Sequence, residues 1–331
     1  SFILKRLIFD ECPEILLEND FKKTIKYIVG TIQKSYFPVP YFELRQVKNE
    51  YKKMLKYLNQ VKDSDMPIYF LGPNSITLRK NNLIESSGEE YVKTDYCITD
   101  KADGERRLLY ISNGKLYFID NRLDVQFTGL TTSLTLKPTI IDGEYITIDK
   151  EGNSIQKYAA FDIYCRDGVD VRNKPFIEDR KDETRKNCRY IILNDFIDLL
   201  TKNISNSKLS IITKAFFVID EENTLEHNSS LLLDYVNSPR YDYNTDGIIF
   251  TSKYEPLPKV TKKVTWNKSF KWKPPKFNTI DFLMRLKKNT KGEKIKYSKR
   301  IKGKLVDYHI GELYVGYNEM RHGHPNAQQE L

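Results

Sequence analysis

The stretch KADGERRLLYISNGKLYFI, residues 101–119, holds two apolar runs around Asn113-Gly114. Asn-Gly is a strong hairpin signal, because both residues tolerate the positive φ that a two-residue turn requires. Residues 107–111 and 115–119 are therefore predicted to pair as antiparallel strands. A second pair is expected at 139–148 and 157–165, joined around Glu151-Gly152-Asn153. Hairpins of this kind argue against a doubly wound parallel sheet, whose strands need crossover connections. The predicted class is α+β, built on antiparallel sheets.

Outward from this centre the chain changes character. Strand-like sequence covers 67–166, whereas 18–60 reads as helix. Phe21, Ile25, Ile28 and Val29 form one apolar stripe, and Leu44, Val47, Tyr51, Leu55 and Leu58 form another. Pro38 and Pro40 separate the two, so 1–60 is expected to be an N-terminal helical extension or connector. Further helices are predicted at 176–202 and at 229–237, the latter stopped by Pro239. Strands return at 210–219 and 247–253. Pro256, Pro258, Pro274 and Pro275 mark 256–276 as a boundary. Short strands should follow over 278–317, split by a lysine-rich loop at 287–304.

The bulk properties narrow the class. A length of 331 residues suffices for two domains, and 40% hydrophobic content suits a folded protein. No apolar run approaches the roughly 20 residues of a membrane span. Cys12, Cys97, Cys165 and Cys188 are scattered, which predicts no disulfide framework and a reducing intracellular setting. His322 and His324 lie close together but lack the Cys or His partners of a zinc site. A net charge of +9, with lysines concentrated through 259–304, points to a polyanionic partner. Lysines in 287–304 suit either attraction to an RNA backbone or a merely solvated loop. The start at Ser1 suggests a piece of a longer polypeptide.

The chemistry rests on five short segments. Lys101-Ala102-Asp103-Gly104-Glu105-Arg106 alone is little more than turn chemistry. It is followed in order by Asp142-Gly143-Glu144, Phe161-Asp162-Ile163, Asp246-Gly247-Ile248-Ile249-Phe250 and Lys271-Trp272-Lys273-Pro274. Separately these read as a strand acid, a core aromatic, a turn and a solvated lysine face. Together, ordered and on strand-like segments, they are not a coincidence.

The ordered set resembles the covalent nucleotidyltransferase superfamily, which comprises mRNA capping guanylyltransferases and ATP-dependent ligases. The resemblance covers about residues 67–275. Thr245-Asp246-Gly247-Ile248-Ile249-Phe250 and Lys271-Trp272-Lys273-Pro274 look like the capping-enzyme forms, and Phe70-Leu71-Gly72-Pro73 is similar to capping enzymes of large cytoplasmic DNA viruses. The resemblance implies a nucleotidyltransferase fold at 61–275 and a partial or truncated OB-fold at 276–331. It implies GTP as substrate, Mg²⁺ or Mn²⁺ as cofactor and 5′-diphosphate RNA as acceptor. It also implies triphosphatase and methyltransferase domains on the same polypeptide, and a host-cytoplasmic or virion location.

Residue by residue, the resemblance implies that Lys101 attacks the α-phosphorus and carries GMP as a phosphoramidate. Neighbouring cations Lys271 and Lys273 would favour its neutral amine and clamp phosphate oxygens. Asp246 and Glu144 are the implied metal ligands, Glu144 having ribose binding as its alternative. Asp103, Gly104 and Arg106 belong to the nucleotide-binding set, Arg122 resembles a ribose-binding arginine, Phe161 would stack on guanine, and Lys214 would contact its O6. A sixth motif is not found after Lys273, and Arg321 is a poor substitute, so weak unaided nucleotide loading is expected. An ATP-dependent RNA or DNA ligase and a non-catalytic RNA-binding module of a capping complex remain the alternatives.

Overall fold

The computed structural model describes residues 18–33, 35–61, 67–177, 187–205, 208–258, 265–277 and 282–314, with backbone alone for 18–22. Cys12, Arg321, His322, His324 and the Phe21 side chain lie outside the described residues. The chain divides into two units, Ser1–Pro274 and Pro275–Leu331.

The first unit opens with helices α1 (Glu18–Gln33) and α2 (Tyr41–Asn59). Strands β1 (Asn74–Thr77), β2 (Tyr96–Ala102), β3 (Glu105–Ser112), β4 (Lys115–Ile119), β5 (Val125–Thr131), β6 (Thr139–Ile148), β7 (Ser154–Arg166) and β8 (Val169–Asp170) follow. Then come α3 (Arg189–Thr201), β9 (Ser210–Thr213), β10 (Phe217–Val218), α4 (Leu225–Asn237), β11 (Thr245–Ser252) and β12 (Thr265–Trp272). Two sheets result. One runs β1-β12-β11-β2-β10, and the other β5-β4-β3-β6-β7-β8 with β9 parallel to β7. Apart from the β1–β12 and β7–β9 pairs the ladders are antiparallel, so the unit is α+β.

The Asn113-Gly114 turn forms as predicted. Both residues have positive φ, 51° and 71°, and Ser112 pairs with Lys115 across it. The strands beside it are buried on both faces. Leu108 and Tyr110 pack with Val47, Tyr51, Leu55 and Leu58 of α2, while Leu109 and Ile111 pack with Leu193, Phe196 and Ile197 of α3. Each such side chain contributes about 1.5–3 kcal/mol when fully buried. Helix α2, expected within an N-terminal extension, thus belongs to the core of the first unit.

Several elements differ from expectation, each for a tertiary reason. The 176–202 helix begins only at Arg189; the amides of Phe176 and Ile177 instead donate to the Lys253 carbonyl, at 2.7 and 3.1 Å. Residues 178–186 lie outside the described set. Helix α4 starts earlier than predicted, at Leu225, because the Thr224 hydroxyl caps the His227 amide. The 210–219 strand is two strands that break at Lys214-Ala215-Phe216 and join different sheets. The proline-marked stretch 256–276 contains β12, which lies between β1 and β11 with Trp266 and Phe270 buried. Its four prolines all fall outside the strand.

The second unit contains β13 (Leu283–Leu286), β14 (Tyr297–Ile301), β15 (Lys304–Tyr308) and β16 (Gly311–Tyr314). The predicted loop at 287–304 therefore includes a strand. These four form two separate ladders, β13–β16 and β14–β15, with their side chains largely exposed. A barrel closes on an interior filled by side chains, and the described residues of this unit do not close one. Cys97, Cys165 and Cys188 are buried free thiols. No helix among the described residues is long and apolar enough to cross a membrane.

Candidate active site

A cavity of about 300 Å³ opens between the two sheets of the first unit. Strand alternation builds one wall: Thr99 and Lys101 from β2, Ile249 and Thr251 from β11, Ser269 and Lys271 from β12. Arg106 from β3, Glu144 from β6 and Phe161 from β7 form the other. Residues 172 positions apart in sequence are brought together by ladder register, since Ile249 pairs with both Thr99 and Lys271.

At the rim, Lys101 Nζ donates to Asp246 Oδ1 at 2.7 Å, and Lys273 Nζ lies 2.5 Å from Asp246 Oδ2. Asp246 reaches this place through a β-bulge. Thr245 pairs with Ala102 and Gly247 with Lys101, leaving Asp246 as the extra residue. Gly247 is required there, because a Cβ would come within 2.0 Å of the Trp272 carbonyl oxygen. Burial works to raise the Asp246 carboxyl, but hydrogen bonds and charges from Lys101 and Lys273 outweigh it and hold the group low. A carboxylate thus lies between the two lysines, placed by the bulge.

Glu144 is a different carboxyl. Burial raises it to about 7, against the charges of Lys214, Lys101 and Arg106. A group raised in the folded state contributes stability that is present below its unfolded value and lost as pH rises through the folded one. Between about pH 4.5 and 7 wild type should lose stability that Glu144→Gln retains, a differential on the order of 2–3 kcal/mol. Urea unfolding of both proteins at pH 5 and pH 8 checks this. A stability difference that does not change with pH would contradict it.

The remaining predicted residues divide into two groups. Arg106 is anchored: Nε donates to Asp142 Oδ1 at 3.0 Å, Nη1 to the Pro73 carbonyl at 2.9 Å, and its guanidinium lies 5.7 Å from the Phe161 ring centroid. Gly104 lets β3 approach β6, since a Cβ would meet the Tyr145 carbonyl at 2.7 Å. Lys214 lines the cavity yet is buried and neutralised by Asp100, 3.1 Å from its carboxylate. Asp103 is exposed, and its amide donates to Asn244. Arg122 is exposed in the Asp120–Asp124 turn and does not line the cavity.

Sequence reading missed the supports. Asp100 accepts from Tyr241 Oη at 2.7 Å as well as pairing with Lys214. Arg189, wholly buried, donates to Asp162 Oδ1 at 2.9 Å directly behind Phe161. An acid next to the apolar run Tyr96-Cys97-Ile98 was the available signal for Asp100. Nothing local marks Arg189.

Among the described residues there is no group of three or more His, Cys, Asp or Glu side chains that would cage an ion. Mg²⁺ is commonly held by one or two carboxylates together with substrate phosphates. Glu144 on the cavity wall and Asp246 at its rim are the carboxylates that could serve in that mode.

The family described as "mRNA capping enzyme, catalytic domain" matches residues 39–275. The chain is 26% identical to a probable mRNA-capping enzyme of Acanthamoeba polyphaga mimivirus, over 91% of this chain and 28% of that protein. It is 27% identical to the Caenorhabditis elegans mRNA-capping enzyme, over 67% of this chain and 34% of that protein. It is 30% identical to an African swine fever virus mRNA-capping enzyme, over 59% of this chain and 19% of that protein. The chain therefore spans about a third or less of these relatives. The family match covers most of the sequence and includes every cavity residue named above, and the chain belongs to the mRNA capping enzyme catalytic-domain family.

Proposed function

We propose that this chain is an mRNA guanylyltransferase, with Lys101 as the residue that carries GMP. The observation that supports it is the position of Lys101 at the wall of a nucleotide-sized cavity, bonded to Asp246 beside Lys273. In the first step deprotonated Lys101 Nζ attacks the α-phosphorus of GTP. The P–N bond forms as the bond to pyrophosphate breaks, and the amine releases its remaining extra proton. In the second, a terminal oxygen of a 5′-diphosphate RNA attacks the same phosphorus. The P–N bond breaks, and the nitrogen regains a proton.

The chain's own groups suit these steps. Asp246 orients the Lys101 amine from the bulge. Lys271 and Lys273 offer fixed positive charge to oxygens that become more negative in the transition state. Phe161 presents a ring face for a purine, backed by Arg106 and by the Arg189–Asp162 pair. Asp246 and Glu144 would hold Mg²⁺, which when bound neutralises charge on the leaving pyrophosphate. The viral relatives suit a reaction in host cytoplasm or virion.

Incubation with α-labelled GTP or ATP and Mg²⁺, followed by a denaturing gel, tests the reading. Label retained from GTP is expected. Label from ATP alone would reassign the chain as a ligase, and none from either, even in a full-length protein, would favour a non-catalytic module.

A further inference from the structure

Helices α1 and α2 carry a surface unlike the rest of the first unit. Among its described residues, every exposed aromatic side chain except Trp272 lies between Tyr27 and Tyr57. Tyr27 is 77% exposed and Tyr36 79%, although aromatic rings ordinarily supply core area. Both line a groove of about 510 Å³ together with Lys23, Lys26, Thr31 and Ser35. Ser35 fixes its floor, because its hydroxyl donates to the Phe127 carbonyl of β5 at 2.8 Å.

The charge of this region is one-sided. Residues 18–60 hold nine Lys and Arg and four acids, a net of +5. Two of these acids are engaged by the sheet beneath: Glu43 accepts from Lys115 at 2.8 Å, and Glu50 accepts from Ser112 at 2.7 Å. Lys23, Lys26, Arg45 and Lys53 are exposed, so cationic side chains share this surface with the aromatic rings. Interfaces between proteins are depleted in lysine. Grooves for single-stranded nucleic acid combine basic side chains along the backbone with rings on which bases stack, whatever the sequence.

We propose that the groove along α1 and the residues just after it binds single-stranded RNA, with Tyr27 and Tyr36 stacking on bases and Lys23 and Lys26 contacting phosphates. The inference rests on the reading of RNA as acceptor, and assigns the transcript a contact outside the catalytic cavity. It places no residue in the nucleotide chemistry, so the two readings fail separately.

Fluorescence anisotropy of a labelled 12-nucleotide single-stranded RNA, titrated with the whole chain, tests it. Tyr27→Ala and Tyr36→Ala should each weaken binding about tenfold, while GMP adduct yield stays at the wild-type level. Lys23→Gln with Lys26→Gln should flatten the dependence of log affinity on log salt by about 1.4. Unchanged RNA affinity in the tyrosine variants would overturn the proposal, as would a wild-type chain that binds no RNA. A change in sedimentation behaviour without a change in RNA affinity would also overturn it, marking a protein-docking face instead. Loss of the adduct in wild type, with the tyrosine effect intact, would refute the guanylyltransferase reading and leave the groove standing.

Discussion

Lys101→Arg is expected to reduce the covalent GMP adduct at least about a thousandfold while leaving the fold in place. Arginine keeps a cation at the cavity wall, so the pairing with Asp246 and the local charge survive. It lacks an amine that can be deprotonated, because a guanidinium remains charged under all ordinary conditions. The substitution thus separates nucleophilicity from charge, which Lys101→Ala does not. The Lys101 side chain is 23% exposed, and its ion pair with Asp246 is at the rim rather than in the core. Thermal unfolding should therefore change little. The measurement is label retained on denatured protein, read beside the melting temperature. An adduct persisting in the arginine variant would remove Lys101 from its role, whatever the fate of the other residues.

The second large effect is on stability. Arg189 is wholly buried and binds Asp162 through Nε and Nη2, at 2.9 and 3.2 Å, while Nη1 donates to the Lys174 carbonyl. Burial pushes the Asp162 carboxyl up even with Arg189 opposing it. Arg189→Met leaves that carboxyl without a partner in the interior, at a cost of about 3–5 kcal/mol. Asp162 also lines the cavity next to Phe161, so nucleotide binding should weaken in parallel. Adding Asp162→Asn removes the orphaned charge and should recover a substantial part of the loss. Urea unfolding of the single and double variants decides it. A single-variant loss below about 1 kcal/mol would show that the pair is not the support described here.

Both outcomes bear on what was legible in advance. Lys101 was readable because four ordered partners followed it, and its place at the cavity agrees with that order. Arg189 was not readable. It sits at the start of a helix whose predicted beginning was thirteen residues too early, and its partner is in a strand 27 residues upstream. Lys214 was picked out, but the Asp100 carboxylate that neutralises it was not. Arg122 was picked out by its place after the hairpin, and the turn at Asp120 leaves it outside the cavity.

Local chemistry alone determined the hairpin at Asn113-Gly114, the second strand pair at Gly152 and the order of the five segments. Turn conformation and strand alternation depend on neighbours within a few residues, so they are written in the sequence at short range. Tertiary structure decided the rest. It placed β12 inside a sheet despite its flanking prolines, and it divided 210–219 between two sheets. It also turned Asp246 out of register to stand between Lys101 and Lys273. Those outcomes depend on which distant strands pair and in what register. That choice is made by the summed burial of both sheet faces, to which no short stretch of sequence contributes more than a part.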